Sequence, residues 1–207
     1  MTFDILSQIP RLIKELIEIV QVPLAKRQER RTAFFEKEIA PIHESMKVIH
    51  EDYSTAFKEL LALLEDGSTI PRTIELLKKK RLVHVTTRKD MEAYAAATAD
   101  LKKRGYLRNR EVAALHDYAE AIRSYLKGAS PVDARVSWYS DFISEFESLL
   151  RRGVSPFTVP AFDSIESNGS PVSLVKRAYA EAVHRDLPEA WQRYSKAFQH
   201  LGLELRR

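Results

Sequence analysis

Histidines, acids and clustered cations are the side chains of this sequence with chemistry to offer, and their spacing limits what that chemistry is. His43 and His50 stand seven residues apart, with Glu44, Glu51 and Asp52 beside them. On one helix seven residues is two turns, about 10 Å of rise, so the two rings share a face but lie too far apart to ligate a single metal unless a second helix closes the site. The expected state is two flanking rings hydrogen-bonded to solvent or to a carboxylate. Glu181 and His184 make one Glu-x-x-His pair, the half-motif of di-iron bundles. That chemistry needs a second pair and two further glutamates, and no other histidine here has an acid three positions before it.

The chain has no cysteine, which excludes disulfides, thiolate zinc sites and a cysteine nucleophile. It also lacks a Gly-rich phosphate loop, a Gly-x-Ser-x-Gly elbow and a His-Glu-x-x-His motif. The expectation is a protein that is not an enzyme, with no catalytic residue, no metal and no cofactor.

The cations are more distinctive. Lys26, Arg27, Arg30 and Arg31 fall in the first two turns of an expected helix, where the helix dipole favours negative charge. A phosphate or an acidic protein face is one account of them, and a solvated basic face the other. Residues 72–110 carry twelve Lys and Arg against four acids. That excess is larger than the net charge of the whole chain, +4, so the remainder is net acidic. Candidate contacts to an anion or a nucleic acid in this strip are Lys78, Lys79, Lys80, Arg81, Arg88, Lys89, Lys102, Lys103, Arg104, Arg108 and Arg110. No helix-turn-helix, RNP or zinc-finger pattern accompanies them.

The elements that carry these residues are helices. Phe35, Ile39, Ile42, Met46, Ile49, Tyr53, Ala56, Leu60 and Leu63 recur by alternate steps of four and three, the 3.5-residue period of a helix packed lengthwise on another. Nothing but Pro41 interrupts helix across about 24–66, and a kink is expected there. Before it, Ile9, Leu12, Ile13, Leu16, Ile17 and Val20 form an amphipathic face, with Pro10 suited to a first turn. Arg11, Lys14, Glu15 and Glu18 make this segment a poor membrane span and, with two acids to two bases, a poor ligand for anionic lipid, so a membrane is the least expected partner.

Further along, Gly105 is expected to end one helix and Asn109 to cap the next, and Asp186-Leu187-Pro188-Glu189 reads as a cap and restart inside the last. Alanines at 93, 96, 97 and 99 suit close helix approach. A helix over 132–150 carries Trp138, Tyr139, Phe142 and Phe146. Residues 153–171, with Pro156, Pro160, Gly169 and Pro171, read as a long irregular loop.

Together these give an all-α chain: one elongated antiparallel helical bundle over 1–207, built on the long heptad-patterned helix, with 1–22 as an N-terminal docking helix. Its 207 residues, 44% of them hydrophobic, suffice for a sizeable core. With no secretory leader pattern at its start, the chain is expected to be cytoplasmic. The function expected is that of a helical scaffold, adaptor or accessory subunit with a protein partner or a second copy of itself. Nucleic-acid binding through the basic strip is the alternative.

Overall fold

The computed structural model describes residues 5–66, 72, 88–127 and 180–206. Two expectations, the irregular loop at about 153–171 and the aromatic helix over 132–150, lie outside the described residues, as do Lys78, Lys79, Lys80 and Arg81. The protein is all-α. Helix α1 runs Ile5–Val20, α2 Leu24–Phe34, α3 Ala40–Glu65, α4 Arg88–Lys103, α5 Arg110–Lys127 and α6 Leu187–Arg206. No described helix is long and apolar enough to cross a membrane.

The chain divides into two compact units. Unit 1 comprises Met1–Val48, His84–Arg123 and Gln192–Arg207, and unit 2 comprises Ile49–Val83 and Ser124–Trp191. In unit 1, α1 buries Ile5, Leu6, Ile9, Leu12, Ile13, Leu16 and Ile19 and packs on α4 and α2. This helix begins a turn earlier than its proline suggests, so Pro10 sits inside it rather than in its first turn. Complete burial of a side chain such as Leu6 is worth about 1.5–3 kcal/mol. Two such residues, Ile5 and Leu6, therefore offset the roughly 3 kcal/mol that an interior proline costs.

The other prolines are accommodated differently. A π-helical turn over Phe35–Ile39 precedes α3, and there the Ala40 amide donates to the Phe35 carbonyl rather than to the residue four back. Pro41, which has no amide to offer and whose ring crowds the carbonyl of residue 37, follows directly. A second π turn, Ala182–Asp186, stands in the same register before Pro188. The expected cap and restart at residues 186–189 is therefore corrected: the helix runs through, and one extra residue in the turn makes room for the proline.

Within the stripe of the long helix, Phe35, Ile39, Ile42 and Met46 are buried in unit 1, and Ile49, Tyr53, Ala56 and Leu60 in unit 2. Leu63 is half-buried; its neighbours Leu61 and Leu64 are the buried residues of that turn. Near its C-terminus α6 comes against the π turn closely enough that a Cβ on Gly202 would meet the Phe35 ring at 3.3 Å. Phe35 also packs on Phe198, with ring centroids 5.6 Å apart. On α4, of the alanines expected at a close helix contact, Ala93, Ala96 and Ala99 are exposed and Ala97 is half-buried, while Tyr94 and Leu101 are buried.

The corner from α4 to α5 is set by two residues. Gly105 adopts the left-handed conformation, φ 70°, that releases the chain from α4. Asn109 Oδ1 then accepts hydrogen bonds from the amides of Glu111 (3.0 Å) and Val112 (3.1 Å), satisfying orphan donors at the start of α5. Asn109→Ala is expected to lower stability by about 1 kcal/mol, read as a shift of the urea midpoint at unchanged slope.

Candidate functional site

Three groups of polar side chains stand out, and the fold treats each differently.

The first is built around His43 and His50. In unit 1 the His43 ring stacks on Phe198, with centroids 3.7 Å apart and planes within 4°. Its Nδ1 lies 2.9 Å from the Tyr194 hydroxyl, which lies 3.1 Å from the Tyr118 hydroxyl. With the proton of His43 on Nε2, Tyr194 donates to Nδ1 and its oxygen is left to accept from Tyr118. In unit 2 the His50 ring stacks on Trp191 at 4.3 Å, and its Nδ1 lies 2.8 Å from the Tyr125 hydroxyl.

Burial lowers the pKa of both histidines, that of His50 to about 4 with a smaller contribution from Lys58, and it raises those of Tyr118 and Tyr194. Each ring is bonded to a phenol and stacked on an aromatic side chain of another helix, so these layers hold helices together. The partner at each Nδ1 is a phenol, where the sequence suggests solvent or a carboxylate. Nor do described His, Asp or Glu residues cluster so as to hold a metal ion. Glu181 instead accepts from its own helix, from Arg185 at 2.9 Å, and His184 is exposed.

The second group lines a cleft of about 340 Å³ between α1 and α2, with Glu15, Glu18, Arg30, Lys37 and Glu38 around Phe34. Arg11 binds both Glu15 and Glu38. Glu15 titrates above the usual carboxylate range because it is partly buried and faces Glu38. Acids and bases alternate so closely here that the cleft favours neither sign of ligand.

The third group contains the cations at the front of α2, and these separate by role. Arg27 donates from Nε and Nη2 to the Val22 carbonyl, at 3.2 and 3.0 Å, just past the last turn of α1. Arg31 forms an ion pair with Glu111 in the first turn of α5, with side-chain exposures of only 12% and 11%. The charges that oppose the dipole of α2 are thus partly answered inside the chain, by a carbonyl of the α1–α2 turn and the carboxylate of Glu111. Arg30 faces the mixed cleft, and Lys26 is exposed.

These bonds also place α2 beside the α4–α5 corner. Arg31 pairs with the residue next to Arg110, and Gln21, just past α1, donates to the Tyr106 hydroxyl at 3.3 Å. Two cation clusters far apart in sequence therefore share one end of unit 1. Lys102, Lys103, Arg104, Arg108 and Arg110 are all exposed there. Arg104 is paired with Asp100 at 2.8 Å; Lys26, Lys102, Lys103, Arg108 and Arg110 have no ion pair among the described residues. Arg72 is exposed elsewhere in the chain, and Arg88 and Lys89 open α4.

Tyr118 and Tyr125 are the residues that sequence reading misses, and a signal for them exists. Both are buried and stand seven apart in sequence, as His43 does from His50 and Trp191 from Phe198. No protein-family model, curated protein or solved structure matches the chain.

Proposed function

We propose that the protein is a non-enzymatic helical interaction protein, an adaptor or accessory subunit, and that it docks an anionic partner on the end of unit 1 formed by the α1–α2 turn and the α4–α5 corner. The observation that carries this reading is the tie between those two segments through Arg31–Glu111 and Gln21–Tyr106, which brings the α1–α2 turn and α2, bearing Lys26, to the end of unit 1 that bears Lys102, Lys103, Arg108 and Arg110. The apolar stripes support it indirectly. Eight of the nine positions from Phe35 to Leu63 are buried within the chain, so the long helix has little left to offer a second copy. Recognition then falls to charged surface.

The test is light scattering combined with chromatography on a sulfated polysaccharide resin. The reading expects the mass of one protomer at tens of micromolar. It also expects retention that fails in Lys102→Glu/Lys103→Glu/Arg108→Glu/Arg110→Glu, checked for unchanged far-ultraviolet circular dichroism. Retention indifferent to the four changes would remove the docking face. A dimer mass would return the role to the apolar stripe.

A further inference from the structure

We infer that this end of unit 1 binds the phosphate backbone of nucleic acid without reading its base sequence, an inference that rests on the docking face proposed above and names its partner. The five unpaired cations come from three segments: Lys26 from the first turn of α2, Lys102 and Lys103 from the last turn of α4, and Arg108 and Arg110 on either side of the Asn109 cap. The acids that could neutralise them are largely committed elsewhere. Asp100 holds Arg104 and Glu111 holds Arg31, which leaves Glu18 on α1 and Glu29 on α2 as exposed acids of the adjoining helices with no ion pair among the described residues.

What this face lacks in apolar anchors separates the two anionic classes of partner. A protein interface draws its affinity from aromatic, aliphatic or Arg side chains that sink into pockets in a dehydrated centre. Among the described residues, the large hydrophobics left exposed are Val48 on α3 and Leu203 on α6, neither of them on α2, α4 or the α4–α5 corner. Tyr106 and Leu107, the apolar side chains of the corner, are half-buried, and the Tyr106 hydroxyl is occupied by Gln21. Nucleic acid needs no such anchor, because neutralising phosphates with Lys and Arg releases condensed counterions. Interfaces of that kind are markedly more positive and more polar than protein interfaces. Since Asn109 already caps the amides of Glu111 and Val112, the attraction at the start of α5 comes from side chains, which contact phosphates without reading base edges.

The experiment is fluorescence anisotropy with the full chain, using two labelled duplex DNAs of unrelated sequence and labelled polyglutamate, at increasing salt. Equal affinity for the two duplexes is expected, with log K falling against log salt at a slope of about −4 to −5 if all five cations engage phosphates. That slope amounts to a loss of a few hundred-fold between about 50 and 200 mM salt. Lys102→Gln and Arg108→Gln are each expected to reduce the slope by about one without changing sequence preference. These neutral variants keep the test decisive if the fourfold reversal does not fold.

No duplex binding at low salt, or a slope unmoved by both variants, overturns the inference; the second result would place binding on residues outside this end. Polyglutamate bound at least as tightly as the duplexes, with the same response to the variants, also overturns it, yet leaves the docking face standing. Binding of neither polymer removes both.

Discussion

Glu111→Leu is expected to destabilise the protein by about 3–5 kcal/mol, and Arg31→Met by a similar amount, whereas the double variant is expected to return to within about 1 kcal/mol of the wild type. The pair is largely withdrawn from water, with side-chain exposures of 12% and 11%, so truncating one partner strands a charge where little solvent reaches it. The Arg31 Nε is already buried with no partner among the described residues, so loss of Glu111 would leave the guanidinium still less satisfied. Removing both charges removes the desolvation penalty along with the attraction, and apolar chains of similar volume recover much of the packing. Urea unfolding of the four members of the cycle measures the coupling, expected to exceed about 2 kcal/mol. Single variants costing less than about 1 kcal/mol would show that water reaches the pair and would weaken the attachment of α2 to α5. Because the same bond ties α2 to the start of α5, Glu111→Gln is expected to loosen the docking end as well.

The all-α class and the placement of the long helix are legible in the sequence because each depends on a local period. The stripe through Phe35, Ile39, Ile42 and Met46 repeats at 3.5 residues, and helices of this length are held chiefly by such a face. Gly105 and Asn109 are legible for a related reason: a left-handed residue and a side-chain cap act within a few positions of themselves.

The polar core is not legible in the same way. Tyr118 and Tyr125 stand at positions where an inward stripe of Val112, Leu115, Ala119, Ile122 and Leu126 already looks complete, and a tyrosine is buried only when its hydroxyl finds a partner, here on other helices. Arg31 gives no hint of Glu111 either, since an ion pair between distant segments leaves no periodic trace. The π turns fall between these cases. Pro41 and Pro188 are plain to read, but whether a proline ends a helix or is absorbed by an extra residue depends on how firmly both flanks are packed.

Acidification is expected to remove stability between pH 6.5 and about 4, with His50 as a principal cause. Folded, its pKa is lowered to about 4 by burial, with Lys58 adding to the effect, against 6.5 when unfolded. The native state therefore holds the ring neutral, and the unfolded state binds the extra proton first as pH falls. The contribution is fully present above about pH 6.5 and is lost progressively down to about 4. A shift of that size corresponds to roughly 3 kcal/mol by linkage. The ring retains some contact with solvent, and the stacked face of Trp191 attracts a cation, so about 2 kcal/mol is the expected loss. His43, lowered in the same direction by burial, adds to it. Urea midpoints at pH 7.5, 6, 5 and 4.5 measure the fall. His50→Phe keeps the stack on Trp191 but has no proton to gain, so it is expected to be less stable than wild type at neutral pH, where the Tyr125 hydroxyl loses its acceptor, and to show a shallower dependence on pH. A wild-type profile flat from pH 6.5 to 4.5, or a His50→Phe profile parallel to it, would mean that the ring is solvated and that the layer formed with Tyr125 and Trp191 is open in solution.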